Sequence, residues 1–466
     1  FYLTQDMGLF PRNAPDRPLW ALVSLFLSRL SFGGDSALPF NLFSAICGAV
    51  GVFVIYWVAR NAIVLCFHDD REDPQKLLAA RLAGAAAGGA LGFCSAYWTT
   101  ATRGHWSSFQ VFMLLFAAWL FFKILKNGGT RGTLIFCFLY GLGVVEYPTF
   151  IVFAPLFVSG LLLSIWRRKQ LTPRYCVAMV GCAFAGLLLY VPAAAAFYHS
   201  PGYELKEYGG FHEVIWFMWR DQWWLISRGL PQQGWLLVLI LTAVPWLTGL
   251  AVAKRALGGE QDWSFRVLHV VITGVVIAVL LNAKIAPWSM LGTAKLLVFP
   301  YVLIASLFGY LVAYWFFAPG TWVESTAKRR KAATMGRVLA ITAFLFVCWL
   351  PFRNFADGNG RHAGAVREFA NDVIRSMGEK TWLITTGVWD PHLQIAADEQ
   401  RKTVRLLDIS RAHDEQYHVY LSRFFESPKL KSRLRIGLMP MLREWAVTDA
   451  DFESKCAAEG HPDVWI

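Results

Sequence analysis

Ten separate apolar stretches of membrane-spanning length constrain this chain more than any other feature. They cover residues 40–59, 77–100, 109–124, 132–145, 150–166, 175–198, 235–252, 267–283, 296–317 and 338–351. Each approaches or exceeds the roughly 17–20 residues that a helix needs to cross a hydrocarbon core of about 30 Å. In lipid every backbone N–H and C=O must find its partner within the segment, so the stretches are predicted to be helices. About a hundred residues of ordinary soluble composition follow. With 56% hydrophobic and only 16% charged residues, a single soluble core is excluded. The predicted fold class is mainly α: a polytopic transmembrane helical bundle over residues 1–352, with external loops 1–39 and 199–234, and a soluble extracytoplasmic α/β domain over residues 353–466.

The formal net charge of +12 would suggest nucleic acid in a soluble protein. Here the cations fall in alternate short loops and read as topology, so no nucleic-acid partner is expected. One set of loops carries Arg60, Arg71, Lys76 and Arg81, then Lys123, Lys126 and Arg131, then Arg167, Arg168, Lys169 and Arg174, then Lys254, Arg255 and Arg266, then Lys328–Lys331 and Arg337. The intervening loops hold little beyond Arg103, Lys206, Arg220, Arg228, Lys284 and Lys295. By the positive-inside rule the first set is cytoplasmic. Residues 1–39, the 199–234 loop and the tail beyond 351 then lie on the far side of the membrane. An external start at Phe1 predicts a further helix before it, which would make eleven spans, and the tail reaches Ile466 without an evident close. Seven of the eight cysteines lie in or beside the helices, so no disulfide framework is implied.

Residues 19–30 have helical periodicity and are expected to lie in the membrane interface. The 199–234 loop, with Trp216, Phe217, Trp219, Trp223 and Trp224 beside Arg220 and Arg228, is the aromatic and basic mixture that settles at headgroup level. The small residues of 83–92 are read as helix packing. In the tail, 363–377 and 415–425 have helical periodicity, and 381–386 and 403–409 are short β-type runs.

Four constellations are candidates for chemistry. Asp6, with Arg12, Asp16 and Arg17 behind it and Pro11, Pro15 and Pro18 stiffening the turn, sits in the first external loop. A carboxylate there suits taking the proton of an acceptor hydroxyl, and the arginines suit a lipid phosphate; a solvated loop is the bland alternative. Arg103, His105, Trp106 and Gln110 form an external helix turn suited to phosphate or sugar recognition and equally to headgroup contact. Glu146-Tyr147-Pro148 places an acid at the external end of a helix, where it needs a polar cavity or a structural partner. Lys284 and Lys295 flank a further external turn, where they suit a phosphate or snorkel to headgroups. Walker loops, dinucleotide fingerprints, zinc spacings and nucleophile elbows are missing from the contexts that would give them meaning, so neither a metal nor a cofactor is expected.

The run Pro15-Asp16-Arg17-Pro18-Leu19-Trp20, then Asn41-Leu42-Phe43-Ser44-Ala45-Ile46-Cys47-Gly48-Ala49, then Tyr97-Trp98 before the turn at 103–110, resembles a bacterial family of GT-C-type membrane glycosyltransferase-like proteins related to eukaryotic protein O-mannosyltransferases. The resemblance covers roughly the first 160 residues. It implies a GT-C fold, a sugar donated by a polyprenyl-phosphate carrier to a protein or glycan hydroxyl, and an acid in the first external loop as base, best matched by Asp6. His105 stands where the family often shows Glu, and Glu146-Tyr147 where it shows an Asn-His pair. On this reading Arg17, Arg103 and Lys284 bind the donor phosphate, and Trp106 and Tyr147 border the sugar or lipid. The rival readings are a lipid-linked-sugar transporter, which would place its ionisable residues near the bilayer midplane, and a silent membrane scaffold.

Overall fold

The computed structural model describes residues 17–30, 37–67, 73–198, 210–228, 235–257, 263–291, 298–321, 326–359, 363–413, 415–448 and 464–465. The chain divides into two compact units, Ala37–Leu189 with Arg220–Asn359, and Phe1–Ser36 with Tyr190–Trp219 and Gly360–Ile466.

The first unit is a helical bundle. Its elements are α2 (Leu38–Cys66), α3 (Pro74–Phe93), α4 (Ser95–Ala101), α5 (Trp106–Asn127), α6 (Thr130–Glu146), α7 (Thr149–Arg167) and α8 (Pro173–Leu187). After α9 (Tyr190–Tyr198) and the first half of α10 (Phe211–Arg228) it resumes at Arg220 and continues with α11 (Trp235–Leu241), α12 (Ala243–Leu257), α13 (Trp263–Leu280), α14 (Pro287–Leu291), α15 (Phe299–Thr321) and α16 (Thr326–Gly358). Local chemistry sets the starts. Proline occupies the first turn of α2, α3 and α8, where its missing N–H costs nothing, and Asp73 caps α3 by accepting from the Gln75 amide at 2.8 Å. Gly128, at φ +71°, turns the chain out of α5, a conformation that a Cβ would disfavour.

Each of the ten predicted stretches contains helix among the described residues, but they do not all qualify as straight spans. Among the described residues seven helices are long and apolar enough to cross a membrane, and eight if α3 and α4 count as one span. Those two are bent by 67° where Cys94 leaves the helical region. At 17 residues, α6 reaches only about 25 Å. The 235–252 stretch is broken between α11 and α12. Hydropathy counts apolar residues and is blind to a break in the backbone.

The centre of this unit is α3, packed between α2 and α15. Ala79, Ala80, Ala83, Ala86, Ala87 and Ala90 are fully buried along it. A Cβ on Gly84 would stand 2.7 Å from the Tyr56 carbonyl oxygen, so the small residues set how closely the backbones approach. A second core gathers Phe121, Phe136, Tyr140, Phe150 and Phe157 from α5, α6 and α7, with Phe121 and Phe157 edge to face at 5.1 Å.

In the other unit, the expected interfacial segment forms α1 (Pro18–Leu27), and the described part of the aromatic-rich loop contributes the first half of α10, with Trp216 and Trp219 exposed. The tail contains α17 (Ala363–Ser376), β1 (Trp382–Thr385), α18 (Asp390–Glu399), β2 (Arg405–Asp408), a 3-10 turn (Ile409–Arg411), α19 (Glu415–Ser422), α20 (Pro428–Ile436), α21 (Leu438–Thr448) and β3 (Val464–Trp465). The sheet is parallel, in the order β2-β1-β3, with Trp382 beside Arg405 and Thr385 beside Asp408. Ile374, Leu383, Leu393 and Leu406 are buried together, and Trp382 stacks on Phe425 at 5.1 Å within a second cluster.

Candidate functional site

The bend between α3 and α4 carries the chain into the turn at 102–105, and His105 then caps α5. Its Nδ1 accepts from the Ser107 amide at 3.2 Å, so a neutral ring carries its proton on Nε2. The ring lies 4.4 Å from that of Trp106. The start of α2 holds the turn in place. Asn41 Oδ1 accepts from the Gly104 amide at 2.6 Å, and Ser44 Oγ donates to the His105 carbonyl at 3.2 Å. The Asn-Leu-Phe-Ser run noted in the sequence is therefore the brace of the Arg103–Trp106 turn.

One turn into α5, Gln110 is fully buried and its Nε2 donates to both the carbonyl and the Oε1 of Glu146, at 3.2 and 3.3 Å. Glu146 is itself 0% exposed at the end of α6. Gln222 of α10 donates to the Val145 carbonyl at 2.7 Å. The amide oxygens Gln110 Oε1 and Gln222 Oε1 are buried and accept no hydrogen bond among the described residues. Buried acceptors in that state are uncommon and call for a donor. From Gln110, α5 continues into an apolar cavity of about 460 Å³ lined by Leu114, Leu115 and Phe121, by Ile55 and Ala59 of α2, by Phe153 and Phe157 of α7, and by Trp246 and Tyr310.

A second polar group gathers at the end of α16. Ser95 Oγ donates to Asp357 Oδ2 at 2.9 Å and accepts from Asn282 Nδ2 at 2.8 Å. Arg103 donates to the Asp357 carbonyl at 3.3 Å. The Lys284 turn, two residues beyond Asn282, is thus tied to the same helix end as the Arg103 turn.

Of the residues singled out in the sequence, Arg103, His105, Trp106, Glu146 and Tyr147 stand on this framework, with Arg103 and Lys284 exposed, His105, Trp106 and Tyr147 half-buried and Glu146 buried. Arg17 precedes α1 in the other unit. Asp6, Arg12 and Asp16 lie outside the described residues, as does Lys295. Sequence reasoning missed Asn282, Asp357 and Gln222 as site residues. Ser95 and Asp357 are 262 residues apart, and no local pattern announces such a pair.

Cations on exposed turns, a buried acid, amide oxygens that accept no hydrogen bond among the described residues and an apolar cavity thus lie along or beside α5. Residues 12–172 match the family model described as Protein O-mannosyl-transferase TMEM260 N-terminal domain. The match covers the segment whose motifs carried the resemblance and agrees with the relation to eukaryotic protein O-mannosyltransferases that they implied. Comparison with curated proteins finds no match.

Proposed function

We propose that the chain transfers a sugar from a polyprenyl-phosphate donor to a hydroxyl of a protein or glycan acceptor at the outer face of the cytoplasmic membrane, within a GT-C-type framework. The observation that carries this reading is the passage, along one helix, from the buried polar group of Gln110, Glu146 and Gln222 to the apolar cavity below it. An amphiphile with a sugar at one end and an isoprenoid at the other has the same division. The cavity volume falls in the range that encloses a sizeable apolar ligand.

In the proposed reaction Asp6 takes the proton of the acceptor hydroxyl, the acceptor oxygen bonds to the anomeric carbon, and the bond from that carbon to the phosphate oxygen breaks. The departing polyprenyl phosphate takes the bonding electrons. Arg103 and Lys284, with Arg17, would meet the charge that grows on it, the kind of stabilisation that favours the transition state over the bound donor. Sugar hydroxyls would donate to Gln110 Oε1 and Gln222 Oε1, and Trp106 and Tyr147 would border the sugar or lipid. Arg12 and Asp16 would complete the donor's surroundings in the first external loop.

The test is a comparison of donor binding and turnover. Arg103→Ala is expected to lower the transfer rate by more than it weakens donor affinity, because only an interaction stronger in the transition state raises turnover. Equal affinity loss with no loss of turnover is the balance of a transporter and would overturn the assignment.

A further inference from the structure

The tail holds a polar group that the transfer reaction does not use, at the carboxyl ends of β1 and β2. In open parallel sheets, ligands bind in the crevice outside the carboxyl ends of the strands. Thr385 and Asp408 are register partners at those ends. Asp408 is occupied: its Oδ1 accepts from the Ser410 amide and hydroxyl at 2.8 and 2.6 Å, and its Oδ2 faces Arg411 at 3.8 Å. The Arg411 guanidinium lies over the Tyr417 ring at 5.4 Å. Between β1 and α18 the chain crosses this group at Gly387, whose φ of +82° is in the left-handed region and where a Cβ would collide with the Asp408 carboxylate.

Asp390, the first residue of α18, differs from Asp408. It is 3% exposed, and its side chain is hydrogen-bonded with Thr385. Its Oδ1 is buried and accepts no hydrogen bond among the described residues. A buried carboxylate oxygen without a donor is costly, so a donor supplied from outside the chain would be favoured. Beside it in the chain, Trp389 and Val388 are 40% and 72% exposed, and Trp389 packs at 5.4 Å against Phe369, itself 49% exposed. An exposed aromatic face next to a carboxylate acceptor suits a pyranose, which has an apolar C–H face and hydroxyl donors at its edge.

We infer that the carboxyl ends of β1 and β2 form a carbohydrate-binding subsite, in which Asp390 accepts a hydroxyl of a neutral sugar whose apolar face lies on Trp389. Arg411 pairs with Asp408, and the remaining carboxylate beside an aromatic ring suits a ligand with hydroxyl donors next to an apolar C–H face; an amine tests whether charge alone accounts for binding. The subsite is independent of the transferase assignment, because it binds sugar without donor or reaction.

The groups facing Asp390 give the pH dependence. Burial and, less strongly, the charge of Asp408 raise its pKa, the Thr385 hydrogen bond and Arg411 oppose them, and the balance is a carboxyl pushed up to about 6. Burial also pushes the Tyr417 hydroxyl up and the His392 imidazole down. The accepting carboxylate is therefore lost as pH falls through about 6.

The experiment titrates the full chain in nanodiscs, without donor, with methyl α-D-mannopyranoside, followed by saturation-transfer NMR. Saturable binding is expected to weaken at least tenfold in Trp389→Ala and in Asp390→Asn, and roughly tenfold in the parent chain between pH 7.5 and pH 5. Hydrogen exchange in α18 should be unchanged in Trp389→Ala, which separates lost binding from lost fold. Transfer to a short acceptor should be unaffected by either substitution. Saturation not reached by about 10 mM, where even a weak Kd of about 1 mM would be exceeded, would overturn the proposal. So would binding untouched by both substitutions, or an equal response to lysine methyl ester.

Discussion

Glu146 in the helical bundle and Asp390 in the tail are both buried carboxylates at an element boundary, and their surroundings differ in one decisive respect. Glu146 Oε1 accepts from the Gln110 amide, so the acid is fixed by its own chain. Asp390 keeps one oxygen that accepts no hydrogen bond among the described residues. Equal burial thus describes two different states, a locked positioning group and an acceptor held in readiness. Only the hydrogen-bond inventory separates them.

The largest effect on this comparison should come from unlocking the first acid. Gln110→Leu removes the amide that serves both the backbone carbonyl and the Oε1 of Glu146, and leaving a buried acceptor without its donor costs about 1–3 kcal/mol. Denaturant titration in lipid should show a loss of about that size, together with loss of transfer. Unchanged stability would mean that Glu146 is held by other partners.

The second acid should respond in the opposite direction. A raised carboxyl pKa is a penalty that is present above the folded value of about 6 and relieved as pH falls toward the unfolded value near 4. Asp390→Asn is therefore expected to stabilise the tail by about 2 kcal/mol at pH 7, and to lose that advantage by pH 4. Native-state hydrogen exchange in β1 and α18 would read it. Destabilisation at pH 7 would show that the charge is internally compensated and would remove the contrast with Glu146.

How much of this was legible in the sequence follows from the range of each interaction. Apolar runs announce helices because lipid leaves the backbone no other partner, and all ten contain helix among the described residues; the bend at Cys94 and the break between α11 and α12 were not legible, because a break changes the backbone and not the hydropathy. Glu146 was legible from depth alone. The hydrogen bond from Gln222 to the neighbouring Val145 carbonyl was not, because that contact spans 77 residues. In the tail the short β-type runs were legible from alternation and their bounding residues. The role of Asp390 depends on β2 lying parallel beside β1, which no local window contains.

The smallest effect is expected at a surface acid. Glu444 on α21 meets Lys429 and Arg433 of α20, and the Lys429 hydrogen bond holds its carboxyl below the usual range. Solvent screens such pairs. Lys429→Ala should leave hydrogen exchange in α20 and α21 within error, whereas strong deprotection would show that exposed pairs matter here as much as buried acids.

The central claim, that this chain performs a transfer reaction, is tested most directly by single-turnover release of polyprenyl phosphate from a polyprenyl-phosphate sugar by the purified full chain, supplied with a panel of hydroxyl acceptors. The account predicts release that depends on acceptor and falls about 10²–10⁴-fold in Asp6→Asn, the loss expected when a general base is removed. Saturable donor binding with no release under any acceptor, unchanged in Asp6→Asn, would contradict it.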